Sequence, residues 1–212
     1  MIQIIMADDH AVVRTGLQFI FDGTPDMVMA TECRNGNELL EKLATKSFDV
    51  VILDISMPDT DAFMVVEQIK KIYPKLPVVI FTMNSDKSFA LRMFKKGADG
   101  FVNKESDPQQ LLQAIRTVVQ GKKFHTSQQI EMMMQHISDP KGYKNARHEV
   151  LSDREFQILC MLASGMKKSE MAATLNISKN TLNNHRNNIM NKMEFESTAD
   201  LTRYAIINHL IG

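Results

Sequence analysis

The sequence predicts a parallel α/β domain followed by a small all-helical domain. Over about the first 120 residues, short apolar runs rich in β-branched residues alternate with amphipathic stretches of helical length. Apolar runs of this kind are typical of strands buried on both faces of a parallel sheet. After Val150 no strand pattern returns, and the remaining segments are all helical.

The α/β part consists of five predicted strand–helix units. The predicted strands are Ile2–Ala7, Met27–Cys33, Val50–Leu53, 78–81 and 100–102. The predicted helices are 12–21, 37–44, 63–72, 89–96 and Pro108–Val119. Asp107 before the last helix and Gly121 after it are typical start and stop signals. We expect one open parallel sheet with the strand order 2-1-3-4-5.

The character of the chain changes after residue 121. A short helix is predicted over 127–136, with three consecutive methionines (Met132, Met133 and Met134), and a loop over 138–143. Further helices are predicted at 152–163, 168–175, Lys179–Met193 and 198–208. The sequence therefore predicts a first domain over 1–121, a linker over 122–148 and a helical domain over 149–212.

Composition narrows the class of protein. The 212 residues carry 25 basic and 25 acidic side chains, with 44% apolar and 24% charged residues, which is ordinary for a globular chain. Apolar stretches such as Val50–Leu53 are far shorter than the roughly 18 residues of a membrane span, and no secretory signal is visible. Cys33 and Cys160 are too few for a disulfide framework or a zinc site. We expect a cytoplasmic protein with no membrane partner.

Charged and hydroxyl side chains follow the predicted strands. Asp8 and Asp9 follow the first strand, Asp54 the third, Thr82 the fourth and Lys104 the fifth. Parallel sheets bind ligands beyond the carboxyl ends of their strands, and crowded carboxylates repel one another unless a cation neutralises them. Oxygen ligands with room for water favour Mg²⁺.

Phosphoryl transfer is the chemistry that this set favours. Asp54 can act as a carboxylate nucleophile that forms an acyl phosphate, while Lys104 offsets charge in the transition state. Thr82 can donate a hydrogen bond to a phosphoryl oxygen. Each residue alone also has a structural explanation, as a turn, a helix cap or a surface residue. Their joint placement at the strand ends favours the site.

Four motifs of the first domain lie at the strand ends: Ala7-Asp8-Asp9-His10, Leu53-Asp54-Ile55-Ser56-Met57-Pro58, Phe81-Thr82 and residues 96–104. They resemble the motifs of two-component receiver domains, which have a flavodoxin-like fold. The resemblance implies that Asp54 is the phospho-acceptor, and that Asp8, Asp9, Asp54 and the backbone carbonyl of Ser56 bind Mg²⁺. It also implies that Thr82 is the switch hydroxyl, Lys104 the phosphate-contacting lysine and Phe101 the switch aromatic.

Two positions depart from the family pattern. Ala62 stands where the family usually has glycine, and Phe101 replaces the commoner tyrosine. Neither change removes a group that would contact phosphate, so we expect the domain to be competent for phosphorylation.

The spacing of the helical segments predicts a helix-turn-helix. The segments 168–175 and Lys179–Met193 are joined by a tight turn, and Ser178 is a natural N-cap. Leu182, Ile189 and Met193 form one apolar stripe that we expect to face the core. A solvated helix of a protein-interaction domain is the alternative at this point.

The helical domain carries the motifs Leu151-Ser152-Asp153-Arg154-Glu155, Ala163-Ser164-Gly165, Glu170-Met171-Ala172, Leu175-Asn176-Ile177-Ser178, Thr181-Leu182, His185-Arg186, Ile189 and Lys192-Met193. With these motifs, residues 149–212 resemble the LuxR-type DNA-binding domain, and both domains together resemble the NarL/FixJ class of response regulators. The resemblance places DNA contacts on the predicted helix Lys179–Met193. We expect them at Lys179, Asn183, Asn184, Arg186, Asn187 and Lys192, and expect Asn183, Asn184 or Asn187 to read adenine. The domain carries seven basic and seven acidic residues, which predicts modest affinity and a shallow salt dependence.

These observations predict a response regulator and transcription factor rather than an enzyme. Its expected partners are a sensor histidine kinase, double-stranded promoter DNA with paired half-sites, and a second copy of the chain after phosphorylation. A Mg²⁺-dependent phosphohydrolase, with Glu105 as its extra acid, is the runner-up. A third alternative is a binding module that does not depend on phosphate. The six histidines lack the spacing of metal ligands.

Overall fold

The computed structural model describes residues 1–57, 60–83, 87–126, 130, 147–175, 177–208 and 210–211. Their contacts divide the chain into two compact units, with the sheet in the first and the helices after residue 147 in the second. The predicted linker loop, the three consecutive methionines and all but Ile130 of the predicted linker helix lie outside the described residues. So do Pro58 and Asn176 of the sequence motifs.

The first unit contains five parallel strands in the order β2-β1-β3-β4-β5, which confirms the predicted topology. The strands are β1 (Ile2–Ala7), β2 (Met27–Cys33), β3 (Val50–Leu53), β4 (Val78–Thr82) and β5 (Gly100–Asn103). The helices are α1 (Ala11–Asp22), α2 (Gly36–Thr45), α3 (Ala62–Ile72), α4 (Lys87–Lys95) and α5 (Pro108–Val119). Observed and predicted boundaries differ by no more than two residues.

Alternating side chains bury both faces of the sheet. Ile4, Met6 and Ile52 pack into one apolar cluster with Leu17 of α1 and Ile115 of α5. Because neighbouring residues of a strand point to opposite faces, the residues between them contribute to the other face. Ile5, Val51 and Leu53 are fully buried there. This burial explains why the strands read as continuous apolar runs in the sequence.

The second unit is helical, as expected. A short 3-10 helix (Arg147–Val150), which was not predicted, precedes α6 (Asp153–Ala163), α7 (Lys168–Thr174), α8 (Lys179–Met193) and α9 (Thr198–Ile207). The fully buried side chains include Phe156, Met171, Ile189 and Leu201. Glu194 ends α8 in the left-handed region at φ 53°, and its N–H donates to the carbonyl of Asn191. Among the described residues, no helix is both long enough and apolar enough to cross a bilayer.

The chain beyond α5 returns to the sheet. The N–H of Phe124 donates to the carbonyl of Asp99 at 2.8 Å, and Phe124 forms an isolated parallel bridge with Gly100 of β5. Lys123 Nζ donates to Asp99 Oδ1 at 2.8 Å, and the His125 ring packs edge-on against Phe94, with a centroid distance of 4.5 Å. Residues 123–125 of the predicted linker therefore pack against the α/β unit.

Replacement of Gly36 with alanine tests the packing beneath α2. An added Cβ would lie 2.7 Å from Val65 Cγ2 and 2.8 Å from Thr60 Cγ2. We expect Gly36→Ala to lower the free energy of unfolding by about 2 kcal/mol, because overpacking forces the neighbours apart. Urea unfolding followed by circular dichroism measures the change.

Gly16→Ala is the matched control, because a Cβ at Gly16 of α1 meets nothing within 4 Å. Alanine favours helix over glycine there, so this variant should gain about 0.5 to 1 kcal/mol. Equal free energies of unfolding for Gly36→Ala and Gly16→Ala would contradict the close packing at Gly36.

Candidate functional site

Hydrogen bonds that continue past the strand ends bring three predicted site residues together. The N–H of Asp54 donates to the carbonyl of Ala7 at 2.9 Å, one residue beyond the pairing of Ala7 with Leu53. The N–H of Lys104 donates to the carbonyl of Thr82 in the same way, at 2.9 Å. Together with the pairing of β3 with β4, these bonds fix the carboxyl ends of β1, β3, β4 and β5 at one edge of the sheet.

The three predicted acids form one cluster. A ligand atom from each of Asp8, Asp9, Asp54 and the neighbouring His10 lies within 4.8 Å of the others. Asp8 and Asp54 are almost completely buried, whereas the side chain of Asp9 is 27% exposed. The cluster is therefore reachable from solvent on its Asp9 side.

Lys104 neutralises part of the charge of the cluster. Its Nζ lies 2.7 Å from Asp8 Oδ2 and 2.6 Å from Asp54 Oδ2. Burial acts to lower the pKa of Lys104, but the hydrogen bonds and charges of Asp54 and Asp8 outweigh burial and hold it above its usual 10.5. The ammonium stays charged and contacts two of the three carboxylates.

The donor set fits a divalent cation. In the described part of the chain, Asp8 Oδ2 and Asp9 Oδ1 are buried and accept no hydrogen bond of good geometry, although basic nitrogens lie nearby. Three neighbouring carboxylates with one lysine ammonium beside them repel one another unless a further cation is bound. Hard oxygen atoms are the ligands that Mg²⁺ prefers.

The remaining predicted residues lie around this cluster. The N–H of Ser56 donates to Asp54 Oδ1 at 3.1 Å, which places the backbone of the following loop beside the acceptor. Thr82 is fully buried at the end of β4. Phe101 is 3% exposed and pairs with Ile80 in the sheet register, so its ring is buried in this conformation.

Two residues of the site were not predicted from the sequence. His10 Nδ1 lies 2.9 Å from Asp9 Oδ1, and the His10 N–H donates to Asp8 Oδ1 at 2.8 Å. The buried guanidinium of Arg14 donates to the carbonyl of Asp8 at 2.8 Å and to Glu32 Oε2 at 3.0 Å. His10 caps α1, and Arg14 lies one helical turn further on. The position of His10 directly after Asp8-Asp9 could have indicated that it belongs to the site. The contacts of Arg14 could not be inferred in this way, because they depend on the fold.

In the helical unit, the predicted recognition helix is α8. Its N-cap Ser178 accepts a hydrogen bond from the N–H of Thr181 at 3.0 Å. Leu182, Ile189 and Met193 are buried, which confirms the predicted apolar stripe. Lys179, Asn184 and Asn187 are exposed on α8, as a surface that contacts a partner requires.

Three other predicted contact residues of α8 bind neighbouring helices. Asn183 Oδ1 accepts a hydrogen bond from Lys168 Nζ of α7 at 3.1 Å. Arg186 donates to Thr198 Oγ1 of α9 at 3.0 Å. Lys192 Nζ lies 2.7 Å from Glu155 Oε2 of α6. These contacts fix α8 against the rest of the unit.

Glu155 links the start of α6 to the end of α8. Its carboxylate accepts hydrogen bonds from the N–H and the hydroxyl of Ser152, at 2.9 and 3.0 Å, in addition to the Lys192 contact. Burial raises the pKa of Glu155, but the bonds from Lys192 and Ser152 outweigh this effect and hold it below its usual 4.5. The sequence identified Glu155 only as part of a motif.

The two units match two known families. Residues 4–116 match the family described as "Response regulator receiver domain", and residues 149–205 match "Bacterial regulatory proteins, luxR family". The chain belongs to the two-component response regulators. A receiver domain followed by a LuxR-type helix-turn-helix domain is the layout of the NarL/FixJ class, a class of transcription regulators rather than classical enzymes.

This response regulator is similar along its whole length to curated relatives. It is 34% identical over 215 residues to the oxygen regulatory protein NreC of Staphylococcus epidermidis, with 99% of both chains covered. It is 30% identical over 214 residues to NreC of Staphylococcus carnosus, again with 99% of both covered.

Solved response regulators share the fold. The structure of an RcsB–DNA complex is 25% identical, with 96% of both chains covered and a TM-score of 0.58. RcsB of Salmonella typhimurium in another structure has a TM-score of 0.75, with 24% identity and 96% of both chains covered.

The pKa of Glu155 predicts an acid-dependent loss of stability. Because the folded-state pKa lies below 4.5, ionised Glu155 stabilises the fold above pH 4.5, and this contribution is lost as the pH falls through the folded-state pKa. Glu155→Gln should lower the free energy of unfolding by about 2 kcal/mol at pH 7. Urea unfolding at pH 7 and below pH 4 measures the difference, which should shrink in acid.

Glu196→Gln is the control, because Glu196 is exposed in the same unit. We expect its effect to stay within about 0.5 kcal/mol. If Glu155→Gln lowered the free energy of unfolding by the same amount at both pH values, the charge of Glu155 would not be the cause of the destabilisation.

Proposed function

We propose that this response regulator accepts a phosphoryl group on Asp54 from a sensor histidine kinase, in a Mg²⁺-dependent reaction, and binds DNA through α7 and α8 to control transcription. The observation that carries the first part is the contact of Lys104 Nζ with both Asp54 and Asp8 beside Asp9. One nucleophilic carboxylate, further acids for a cation and one fixed ammonium are the parts that phosphoryl transfer requires.

Asp54 is the nucleophile in this proposal. One oxygen of its ionised carboxylate attacks the phosphorus of a phosphohistidine. The new O–P bond forms as the P–N bond breaks, and the imidazole nitrogen retains the electron pair. Lys104 offsets negative charge on the phosphoryl oxygens, and the Ser56 N–H orients Asp54 from the other side.

Asp8, Asp9, Asp54 and the backbone carbonyl of Ser56 would hold Mg²⁺. The bound ion would supply electrostatic stabilisation of the phosphoryl oxygens. Arg14 and the His10 N–H hold Asp8 in place by its carbonyl and its carboxylate, so both act as positioning residues.

Phosphorylation would then change a surface of the first domain. Thr82 and Phe101 lie on β4 and β5 and are buried, so a hydroxyl that moves toward a phosphoryl group changes the packing next to the Phe101 ring. The expected result is dimerisation, which would present two helix-turn-helix domains to paired half-sites. We also propose a receiver domain over 1–121, a linker over 122–148 whose residues 123–125 pack against that domain, and a helical domain over 149–212, in a protein that acts in the cytoplasm.

The family and the surface of α8 support DNA binding. The RcsB relative is solved with DNA, and α8 carries no acid and exposes Lys179 and several amides. Lys192 is paired with Glu155, so fewer cations remain for phosphate than the sequence suggests.

Phosphorylation is tested by incubation of the protein with a small phosphodonor and Mg²⁺, followed by mass spectrometry. The wild type should gain one phosphoryl group on Asp54, and Asp54→Asn should gain none while its circular dichroism stays unchanged. Label at another residue would contradict the assignment.

Glu105→Gln is the matched control, since Glu105 is an exposed acid near the site. It should be labelled like the wild type. Steady release of inorganic phosphate that requires Glu105 would favour a phosphohydrolase instead.

DNA binding should depend weakly on salt. Lys167, Lys168, Lys179 and Arg186 are the cations on or beside α7 and α8 that lack a carboxylate partner within the described residues. With about four phosphate contacts in each protomer, log Kobs should fall with log salt at a slope of about −3.6 for each bound protomer, or less steeply.

Lys179→Ala should reduce the magnitude of this slope by about 1. Arg203→Ala, which removes a cation paired with Asp200 on α9, should leave the slope unchanged. Fluorescence anisotropy at several salt concentrations measures both. Equal effects of the two substitutions would count against α8 as the DNA-facing helix.

A further inference from the structure

The proposed function leaves the imidazole ring of His10 without a role. The backbone N–H of His10 holds Asp8, but the ring takes no part in that bond. His10 is also the N-cap of α1, yet its side chain makes no capping hydrogen bond. Serine, threonine, aspartate and asparagine are the usual residues at such a position, because their side-chain oxygens accept hydrogen bonds from the first turn. Neither the bond to Asp8 nor helix capping therefore explains a histidine here.

The ring lies against two of the three acids of the cluster. Its Nδ1 is 2.9 Å from Asp9 Oδ1 and 3.4 Å from Asp8 Oδ1. A nitrogen and an oxygen at 2.9 Å are normally joined by a hydrogen bond. Asp9 Oδ1 is buried, however, and accepts no hydrogen bond of good geometry within the part of the chain that the structure describes. The short distance between the two atoms is therefore not explained by a hydrogen bond.

The distances from Nδ1 are those expected of atoms that bind one cation. Ligand atoms about 2.1 Å from an ion lie about 3.0 Å apart at octahedral angles and about 3.4 Å apart at tetrahedral angles. The observed distances of 2.9 and 3.4 Å are close to these two values. A ligand atom of Asp54 also lies within 4.8 Å of those of the other three residues. His10 therefore lies where a fourth side-chain ligand would lie.

The ring is on the open side of the cluster. The His10 side chain is 61% exposed, whereas Asp8 and Asp54 are buried. Lys104 contacts Asp8 and Asp54 on the buried side, and its charge repels a second cation there. A cation that arrives from solvent therefore meets the ring of His10 and the partly exposed Asp9 first.

An imidazole ligand changes which cations a site prefers. Mg²⁺ prefers oxygen ligands and retains several waters. Imidazole nitrogen instead suits first-row transition-metal ions such as Ni²⁺ and Zn²⁺, which also accept carboxylate oxygens. Three carboxylates beside one imidazole form a mixed donor set of this kind. The ring should therefore raise the affinity for these ions and leave the affinity for Mg²⁺ almost unchanged.

We propose that His10 is a ligand to the cation and gives this receiver domain a higher affinity for imidazole-binding transition-metal ions, of the class of Ni²⁺ and Zn²⁺. The inference rests on the proposed cation site. Sequence spacing does not indicate this ligand set, because Asp54 joins Asp8, Asp9 and His10 only through the pairing of β1 with β3. The ring nitrogen donates its lone pair to the ion, while the His10 N–H continues to hold Asp8.

The first test compares the binding of Ni²⁺ alone with that of Mg²⁺ alone to the full-length protein. Calorimetry measures Ni²⁺ binding, and NMR titration measures Mg²⁺ binding. His10→Asn should weaken Ni²⁺ binding about tenfold and change the affinity for Mg²⁺ by less than about threefold, because only Ni²⁺ gains from the nitrogen ligand. Asparagine is a favoured N-cap and keeps the backbone bond to Asp8, so the variant should fold, which thermal melting checks.

His185→Asn is the matched control, because His185 lies on α8 in the helical unit. It should bind both ions like the wild type. Asp9→Asn should weaken the binding of both ions, since it alters a carboxylate that both would share. A ring that only positions or neutralises Asp9 would likewise affect both ions by the same factor, unlike a nitrogen ligand.

Proton NMR of the Ni²⁺-loaded protein is the second test. Ni²⁺ is paramagnetic, so it displaces the ring protons of a coordinated histidine far outside their usual range. The displaced signals should be present in the wild type and in His185→Asn. They should be absent from His10→Asn.

The outcomes separate this inference from the proposed function. If His10→Asn weakens Ni²⁺ and Mg²⁺ binding by the same factor, leaves Ni²⁺ binding unchanged or keeps the displaced ring signals, His10 is not a ligand and the Mg²⁺ site stands. If neither ion binds the wild type, or if Asp9→Asn binds both ions like the wild type, the proposed cation site is wrong and this inference with it.

Discussion

The contact of one ammonium with two buried carboxylates is the interaction on which the proposed site of the receiver domain depends. Lys104 follows β5, and Asp54 follows β3, two strands away, at a lateral separation of about 10 Å. The lysine side chain must therefore extend across the end of β4. Thr82 stands there, fully buried, and its small side chain leaves room for this path. The register of three strand pairs thus decides whether one charge reaches both acids.

Partial neutralisation is the functional consequence of this arrangement. Lys104 compensates one negative charge, while Asp8, Asp9 and Asp54 together supply three. The remaining charge favours a cation, and the exposed side of Asp9 gives access to it. In the helical unit, the buried carboxylate of Glu155 has a different role. Its charge is matched by Lys192 and by the Ser152 hydrogen bonds, so it stabilises the fold.

The sequence predicted the parts of this molecule that depend on local pattern. The apolar runs in the sequence predicted the positions of all five strands. The acids that follow these strands predicted the site, because the carboxyl ends of parallel strands meet at one edge of the sheet. The prediction of the apolar stripe of α8 was also correct, because helical periodicity is a local property of the sequence. Glu194 in the left-handed conformation was not foreseen, since glycine is the usual signal for such a helix end.

Contacts between distant segments could not be predicted from the sequence. Arg14 reaches the carbonyl of Asp8 and Glu32 only after β1, β2 and α1 are packed. The ion pair of Lys192 with Glu155 joins residues 37 positions apart, and the sequence pattern assigned that lysine to DNA. An exposed and a paired lysine look alike in a sequence.

The bridge between Phe124 and Gly100 has a consequence for self-association. β5 is the last strand of the sheet, so one side of its backbone has no neighbouring strand among the residues that the structure describes. Exposed strand edges are templates on which other chains can add and aggregate. Phe124 occupies the Gly100 end of that edge with the protein's own backbone, and β5 is only four residues long. Only a short length of strand edge remains for pairing with another chain, which limits edge-to-edge polymerisation.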